Sequence, residues 1–386
     1  MCRRSRRLQG NLKTLHVEFG RHLYGGALQV VYLMKGLAKR GHEVSLLCAK
    51  GSAIEKEARS SGIRVFPVRI AFDSDPTLLL RVYRAVKQAN PDVLHLHSRR
   101  GAEIFGGLAG RMARVPAIIL SRRIDDPVKL GPLGRLKFIK YPHKIITISE
   151  GIRRVLIDCG IDENRIEMVR SAVVVEQFQL ERDRSWFHSE FSVPEDVPVI
   201  GVIAQLIERK GHRYLFEAVP DILKEFPDTQ FILLGKGPMR QQLEHLASEM
   251  GIGKSVIFAG FRADIEKILP NLDIVVHPAL REGLGVSLIQ AACAGRPMVA
   301  SGVGGIPEIV RDGQTGLLVN PADSQAIGKC ILTLLRNPDL AQKLGENARK
   351  LAETEFSIDG MVEGNLRVYR EVLRSVSEKR VHQEVG

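Results

Sequence analysis

Glu282 and Gln290 lie on either side of a glycine-containing segment that predicts the start of a helix, shortly after an apolar run. The strand predicted over 274–276 must stop at Pro278, which has no amide proton for the ladder, and Glu282 follows it. In open α/β sheets the carboxyl ends of strands face the ligand crevice, and N–H groups at a helix start attract phosphate. If Glu282 and Gln290 lie along one helix, about 12 Å separates them. The pattern predicts a sugar-phosphate or nucleotide site; a capped core helix with a solvated glutamate is the alternative.

The rest of the chain alternates short apolar runs with helical segments, which predicts parallel sheets covered by helices. The runs form two sets, and a polar stretch near residue 180 separates them. The predicted strands are 15–19, 44–47, 93–96, 117–120 and 145–148 in the first set, and 199–203, 231–234, 256–258, 274–276, 298–300 and 317–319 in the second.

The length of 386 residues exceeds what one compact core usually supports. We therefore expect an α/β protein with one parallel-sheet domain at 1–180 and a second at 181–360. Leu366, Tyr369 and Leu373 repeat at helical spacing, which predicts a terminal helix over 361–386. This helix is expected to cross back and pack on the first domain.

The charge is concentrated in the first half of the chain. Residues 1–180 contain 32 Lys+Arg and 16 Asp+Glu, whereas residues 181–386 contain 24 and 28. A basic half-molecule suits an anionic membrane surface or an acidic glycan acceptor. Nucleic acid is not predicted as a partner, because stacking aromatics and nucleic-acid motifs do not accompany the basic residues. A generally solvated basic surface is the alternative.

Several other classes of site and location are disfavoured. The chain has no apolar run of membrane-spanning length, and Met1–Arg7 is basic without a following apolar core, so a cytoplasmic location is expected. The five cysteines are scattered without metal-ligand spacing, which predicts reduced thiols. His95 and His97 lie on one side of a predicted strand, but no third ligand is in view, so a metal site is not predicted.

Common nucleotide and nucleophile motifs are also incomplete. Gly253-Lys254-Ser255 resembles the end of a P-loop, but Ser248 stands where the first glycine is required. Gly25-Gly26 lacks the dinucleotide-binding spacing; the pair either faces a phosphate or only permits a tight turn. A nucleophile elbow of the GxSxG type is not found.

The motifs together resemble the retaining glycosyltransferases of family 4, which have the GT-B fold. The resemblance implies two Rossmann-like domains that face a cleft, with the C-terminal helix crossing back to the first. Its most specific part is residues 277–316. The residues that carry it are Gly25-Gly26, Arg40–Val44, His95-Leu96-His97, Lys210-Gly211, Gly235–Pro238, Glu282-Gly283-Leu284-Gly285, Gly295-Arg296-Pro297, Ser301–Glu308 and Asp312–Leu317.

The resemblance implies that a nucleotide diphosphate sugar is the donor substrate, without a metal or other cofactor. Lys210 matches the family lysine that neutralises the leaving diphosphate, where a fixed cation stabilises developing negative charge. Gln205 replaces the usual arginine, and Arg209 is the neighbouring cation that can compensate. The other donor-binding positions implied are Gly25, Gly26, Gly235, Gly283, Leu284, Gly285, Gly304 and Gly305.

Three polar positions define the implied chemistry. Glu282 matches a glutamate that orients the donor sugar, and Gln290 replaces a second glutamate that bonds the ribose; an amide can still donate to and accept from a diol. Arg123 stands near the family histidine that reaches the transferred sugar, with Asp125 or Asp126 expected to orient it. A surface ion-pair cluster is the alternative for Arg123.

We therefore expect a retaining glycosyltransferase that acts on a glycan or lipid-linked acceptor in lipopolysaccharide or envelope polysaccharide synthesis. The family mechanism implies front-side attack, with the departing phosphate oxygen taking the acceptor proton. The expected location is cytoplasmic, with peripheral association at the inner face of the membrane. Two alternatives remain open: a catalytically silent nucleotide-sugar-binding subunit, and a GT-B nucleotide-sugar epimerase.

Overall fold

The computed structural model describes residues 10–23, 25–70, 76–98 and 101–385. Contacts divide the chain into two units: the described residues up to Ala172 together with those from Ile358 onward, and Val173–Ser357. The change of unit therefore falls before the polar stretch near residue 180. The reason is that Val173 bridges to Ser357 and donates its N–H to the Phe356 carbonyl at 3.1 Å.

The first unit contains a seven-stranded parallel sheet with the order β3-β2-β1-β4-β5-β6-β7. Its strands are β1 (Lys13–Glu18), β2 (Glu43–Ala49), β3 (Arg64–Val68), β4 (Val93–Leu96), β5 (Ala117–Arg122), β6 (Lys144–Thr147) and β7 (Ile166–Met168). The sequence patterns did not predict β3 and β7. β3 lies at a sheet edge, where exposed Arg64 and Pro67 interrupt its apolar pattern, and a proline is tolerated there. β7 is only three residues long.

Helices cover both faces of this sheet. Because successive strand residues point to opposite faces, Leu46 and Leu47 enter different apolar clusters, and both are fully buried. The helices are α1 (Gly25–Lys39), α2 (Ala53–Ser60), α3 (Pro76–Ala89), α4 (Gly107–Met112), α5 (Pro132–Arg135) and α6 (Glu150–Asp158), with π-helical turns at Ala102–Gly106 and Leu136–Lys140.

The second unit contains a six-stranded parallel sheet with the order β10-β9-β8-β11-β12-β13. Its strands are β8 (Val199–Ile203), β9 (Gln230–Leu234), β10 (Val256–Gly260), β11 (Ile274–His277), β12 (Met298–Ser301) and β13 (Leu317–Val319). Its helices are α7 (Arg184–Phe191), α8 (His212–Glu225), α9 (Arg240–Glu249), α10 (Ile265–Ile268), α11 (Val286–Cys293), α12 (Ser324–Arg336) and α13 (Pro338–Glu355). The patterns predicted each of these strands, since all are short apolar runs.

The C-terminal helix α14 (Ile358–Val385) belongs to the first unit and packs against α1 and β5. Leu366 and Tyr369 on this helix are buried in the same cluster as the apolar face of α1. Gly36 permits this approach, because a Cβ there would lie 2.4 Å from Cγ2 of Val362. The missing side chain therefore sets the spacing of α1 and α14.

Other expectations concern the membrane and the cysteines. In the described ranges, no helix is at once long and apolar enough to cross a bilayer. Cys48, Cys159, Cys293 and Cys330 are free thiols. Cys2 and the basic Met1–Arg7 segment lie outside the described residues.

Replacement of Gly36 by alanine should destabilise the first unit. The added methyl group must displace Val362, and overpacking of this kind typically costs about 1–3 kcal/mol. Urea unfolding would measure the loss. The double variant Gly36→Ala/Val362→Ala should be more stable than the sum of the single changes predicts.

Gly328→Ala in α12 is the matched control, since a Cβ there would make an ordinary 3.4 Å contact with Ala218. We expect this control to be neutral or slightly stabilising. If the losses in unfolding free energy of Gly36→Ala and Val362→Ala simply add in the double variant, the added methyl group does not clash with the Val362 side chain.

Candidate functional site

The strand order reverses direction at one point in each sheet, between β1 and β4 and between β8 and β11. Ligands of doubly wound sheets bind outside the carboxyl ends of the strands at such a point. In the second unit, the segment after β8 supplies Lys210 and the segment after β11 supplies Glu282. Two groups distant in sequence thus meet at the position where a ligand is expected.

Lys210 and Glu282 form a nearly buried ion pair. The Lys210 ammonium contacts Oε2 of Glu282, and their side chains are only 10% and 13% exposed. His277, the last residue of β11, places Nε2 at 2.9 Å from the same oxygen. The other carboxylate oxygen accepts the Gly283 N–H at 3.1 Å. Each contact reduces the freedom of the carboxylate to rotate.

The electrostatics of this cluster favour an ionised glutamate beside neutral histidines. Burial alone would raise the pKa of Glu282, but His277 and the Lys210 ammonium hold it well below its usual range. Burial, and then the Lys210 charge, lower the pKa of His277. Burial also lowers the pKa of nearby His212 to about 4. His277 is therefore a neutral donor, and its Nε2–H donates to the Glu282 carboxylate.

The backbone around Glu282 depends on a glycine turn. A Cβ at Gly304, whose φ is +55°, would lie 1.7 Å from the Glu282 carbonyl oxygen. The Gly305 N–H donates to that carbonyl at 3.3 Å. The structure thus brings Gly304 and Gly305 against the main chain of Glu282.

The helix after Glu282 begins later than the sequence interpretation assumed. α11 begins at Val286, and Gly285 precedes it with a φ of +94°. Glu282 is therefore in the loop between β11 and α11, so the 12 Å spacing that assumes one helix for Glu282 and Gln290 does not apply. Gln290 is half-buried in the second turn of α11, whereas Leu284 is fully buried and packs in the core.

The loop after β8 contains Gln205 and Arg209, two of the predicted donor-binding residues. The Arg209 carbonyl accepts the Leu280 N–H at 2.8 Å, and the Arg209 guanidinium donates to the Arg281 carbonyl at 3.3 Å. Arg209 therefore joins the two loops. Gln205 is exposed, and Gly235 packs beneath it, where a Cβ would lie 1.9 Å from the Ala204 carbonyl oxygen.

The first unit brings Arg123 next to the glycine pair. Cδ of Arg123 would lie 3.6 Å from a Cβ on Gly26, whereas Gly25 is exposed with open space around its Cα. Burial lowers the pKa of Arg123 to about 10, and the Glu18 charge opposes this shift. Arg123 therefore remains a cation at the carboxyl end of β5.

The orientation of Arg123 differs from the expectation that Asp125 or Asp126 would hold it. Arg123 donates to Nδ1 of His97 at 3.4 Å, whereas Arg122 donates to the Asp126 carbonyl at 2.7 Å. Arg122 is the last residue of β5, whereas Arg123 lies in the loop that follows it. His97 is therefore the positioning residue for Arg123.

His97 belongs to a buried histidine cluster with His16 and His95. The parallel register places His16 opposite His95, so β1 supplies the third histidine that the sequence analysis did not find. Their available ring nitrogens lie within 4.8 Å of one another. Burial lowers the pKa of His16 to about 3 and lowers the pKa values of His95 and His97, so all three are neutral.

The hydrogen bonds of the cluster define one consistent proton arrangement. Since a guanidinium can only donate, Nδ1 of His97 accepts from Arg123 and its Nε2–H donates to Nδ1 of His16 at 3.0 Å. Nε2–H of His16 then donates to Thr14 at 3.2 Å. The two ring nitrogens of His95 contact Tyr369 and Ser121 at 2.6 and 2.8 Å. Each ring nitrogen therefore already has a protein partner.

The fold and these two polar centres are typical of two-domain sugar transferases, and the comparisons agree. Residues 183–351 match the family model described as glycosyl transferases group 1, and residues 24–177 match that of glycosyltransferase family 4. The chain therefore belongs to the family 4 glycosyltransferases.

Two relatives illustrate the sequence likeness. The lipopolysaccharide core biosynthesis glycosyltransferase LpsE of Rhizobium meliloti is 26% identical over 360 residues, which cover 92% of this chain and 98% of that protein. The putative glycosyltransferase EpsD of Bacillus subtilis is 30% identical over 301 residues, covering 71% and 76%.

Two solved structures share the fold. HepE of Anabaena in complex with UDP and glucose has a TM-score of 0.80 at 20% identity, covering 93% of this chain and 99% of that one. WaaG, a glycosyltransferase involved in lipopolysaccharide biosynthesis, has a TM-score of 0.68 at 16% identity, covering 92% and 99%. These likenesses confirm the predicted GT-B architecture of two parallel-sheet α/β domains.

Replacement of Lys210 by methionine should destabilise the second unit most at neutral pH. In the wild type, the pKa of Glu282 is lower in the folded protein than its unfolded value of about 4.3. The ionised Glu282 side chain therefore contributes its full stabilisation of the folded state above about pH 4.3, and this contribution is lost as the pH falls toward the folded pKa. Without the cation, burial raises the pKa and this stabilisation disappears. We expect a loss of about 3 kcal/mol at pH 7 and a smaller loss at pH 4, measured by urea unfolding.

Lys224→Met is the matched control. Lys224 pairs with Asp221 at 2.6 Å on the surface, with side chains that are 76% and 69% exposed. Its loss should cost less than about 1 kcal/mol at either pH. An equal penalty for Lys210→Met at both pH values would show that Lys210 acts through packing alone.

Proposed function

We propose that this glycosyltransferase moves a sugar from a nucleotide diphosphate sugar to a hydroxyl group of a glycan or lipid-linked acceptor, with retention of the anomeric configuration. The ion pair of Lys210 and Glu282 at the reversal point of the second sheet carries the proposal. A fixed cation beside an ionised carboxylate supports a site for a phosphate group next to a sugar.

The donor class follows from the chemistry of this pair. A leaving diphosphate gains negative charge in the transition state, and the nearby Lys210 ammonium can stabilise that charge. The first turn of α11 has no side-chain cap, so its N–H groups are also suitable for phosphate. The HepE complex with UDP and glucose supports a nucleotide donor for this chain as well.

Glu282 and Arg123 complete the proposed reaction. Glu282 accepts hydrogen bonds from the hydroxyl groups of the donor sugar, and Arg123 contacts the transferred sugar or an anionic group of the acceptor. The bond from the anomeric carbon to the diphosphate oxygen breaks while the bond to the acceptor oxygen forms on the same face. The acceptor proton passes to the departing phosphate oxygen, so a protein nucleophile is not required.

The acceptor is proposed to be an envelope glycan, such as lipopolysaccharide, made at the inner face of the membrane. The relationship to LpsE supports this acceptor, and so does the net charge of +16 on residues 1–180, from 32 Lys+Arg and 16 Asp+Glu. A basic surface attracts both anionic lipid and phosphorylated sugars.

A catalytically silent donor-binding subunit is the second candidate. The observation in its favour is that Gln205 and Gln290 carry no charge where the family has charged side chains, and Gln205 is exposed. Donor binding without transfer would identify this function. A nucleotide-sugar epimerase would instead isomerise the donor without any acceptor.

Glu282→Gln should lower sugar transfer at least about 100-fold, because the uncharged amide no longer balances the Lys210 charge and replaces a carboxylate at the donor sugar. The assay would combine the purified chain, a panel of donors including UDP-glucose and GDP-mannose, and an envelope-lipid extract. Nuclear magnetic resonance of the product would report its anomeric configuration.

Glu249→Gln is the matched control for this assay, since the Glu249 side chain is 60% exposed on α9. We expect its transfer rate to stay within about twofold of the wild type. Transfer that survives in Glu282→Gln, or a product of inverted configuration, would contradict the proposed mechanism.

Transfer should also continue in the presence of EDTA. The physical reason is that Lys210 and the α11 amides supply the positive charge that a divalent cation provides elsewhere. The measurement compares initial rates before chelation, after chelation and after addition of Mg²⁺ or Mn²⁺. A rate that falls with EDTA and returns with either ion would remove metal independence from the proposal.

A further inference from the structure

A basic groove of about 1160 Å³ lies in the first unit, between the edge strand β3 and the helix α3. Its lining includes six cationic side chains and, among the described residues, no carboxylate. These cations are Arg21, Lys50, Arg64, Arg69, Arg81 and Arg84. Asp73 and Asp75 lie outside the described residues, and together they can offset two of these charges at most.

Most of these cations are available to a ligand. All except Arg81 are exposed, and in the described part of the chain none of those five forms a salt bridge. Arg81 instead donates to the Arg69 carbonyl and the Thr77 hydroxyl. The Arg64 guanidinium lies 4.9 Å from the centre of the Phe66 ring, which supports it from below.

The groove also has an apolar floor. Val65, Pro67 and Ile70 line it between the cations, and all three remain half-buried or exposed. Sugar rings present apolar C–H faces as well as polar edges, so they can pack on such a floor. A bare phosphate ion would leave this apolar surface uncovered, which argues for an anionic chain with a carbohydrate body.

The cations of the groove are spread along β3 and the neighbouring helix α3. The strand side supplies Arg64 and Arg69, and α3 supplies Arg84, so the cations of the groove lie on two neighbouring elements. β3 is five residues long, or about 17 Å. A linear polyanion of this length can contact cations on both elements at once.

The groove also reaches the side of the sheet where the candidate site lies. Arg21 follows β1, Lys50 follows β2 and Arg69 follows β3, so these three mark the carboxyl ends of neighbouring strands. Gly26 and Arg123 lie at the same edge of the sheet, after β1 and at the end of β5. A chain held along β3 can therefore extend toward Arg123.

We propose that this groove binds the acceptor through phosphate or carboxylate groups on its glycan chain, away from the hydroxyl that receives the sugar. The inference rests on the proposed function, since it assigns the acceptor class of that reaction. It makes Arg64 and Arg84 specificity-determining residues that recognise the charge of the acceptor.

The test uses the full chain without donor, and a fluorescently labelled short oligogalacturonate as the anionic glycan. Fluorescence anisotropy would give its Kd for the wild type and for Arg64→Gln/Arg84→Gln. We expect the double variant to bind at least about tenfold more weakly, which corresponds to about 1.4 kcal/mol. Binding of the wild type should also weaken as salt rises.

The matched control is Lys39→Gln/Arg154→Gln, which removes the same number of charges from exposed positions of the same unit. We expect its Kd for oligogalacturonate to change by less than about twofold. Thermal melting would verify that both double variants are folded. An equal loss of binding in both would show that only net charge matters and would overturn the proposal.

Two further probes distinguish the source of the negative charge. A labelled maltooligosaccharide should bind at least about tenfold more weakly than oligogalacturonate, since it offers no charge to the cations. Vesicles of phosphatidylcholine and phosphatidylglycerol should bind the groove variant and the control variant equally. If the groove variant instead loses only vesicle binding and keeps the oligogalacturonate, the groove is a lipid-docking surface and the proposal fails.

A kinetic experiment separates this inference from the proposed function. With an anionic acceptor, the groove variant should raise KM for the acceptor and leave kcat and donor binding unchanged. If Glu282→Gln still transfers sugar, the proposed mechanism is contradicted, but the binding of oligogalacturonate to the groove remains a separate result. If Arg64→Gln/Arg84→Gln leaves both the Kd for oligogalacturonate and the KM for the acceptor unchanged, the role of the groove is contradicted and the proposed reaction is not affected.

Discussion

The structure of the second unit depends on keeping two opposite charges together with little water. Removing Lys210 and Glu282 from solvent costs several kcal/mol per ion unless each finds a well-placed partner. The chain meets this requirement by ending β11 at His277, whose neutral ring donates to Glu282, and by bringing Gly304 against the Glu282 main chain. The fold therefore fixes the position of the carboxylate through its backbone as well as its side chain.

The first unit uses the same topology with a different balance of charge. Its polar centre also lies where the strand order reverses, but His16 and His97 are neutral and Arg123 is the cation. A neutral histidine chain can accept from a guanidinium without repelling it, which a protonated histidine could not do. Burial keeps the histidines uncharged in both units, and in the second unit it also surrounds an ion pair.

Local sequence patterns predicted most of the strands. They did not predict which side chains the pairing of distant strands brings together. Unbroken apolar runs such as Val199–Ile203 were recognisable as buried parallel strands, whereas Arg64 and Pro67 concealed the edge strand β3. The pairing of Lys210 with Glu282 is not visible in any local period, and only the family resemblance suggested a shared role. His16 was missed because its partners lie on neighbouring strands, far along the chain.

Under the proposed function, the ion pair of Lys210 and Glu282 also prepares the site for a charged donor. Without donor, Glu282 holds the Lys210 ammonium in place and spares each charge an isolated, desolvated state. In the proposed reaction, a diphosphate competes for that ammonium, and the released carboxylate is then available to sugar hydroxyl groups. A neutral residue at position 282 could accept a hydrogen bond from the sugar, but it would not hold the cation beforehand. In the proposed reaction, the energetic benefit of Glu282 therefore lies as much in preorganisation as in contact with the donor sugar.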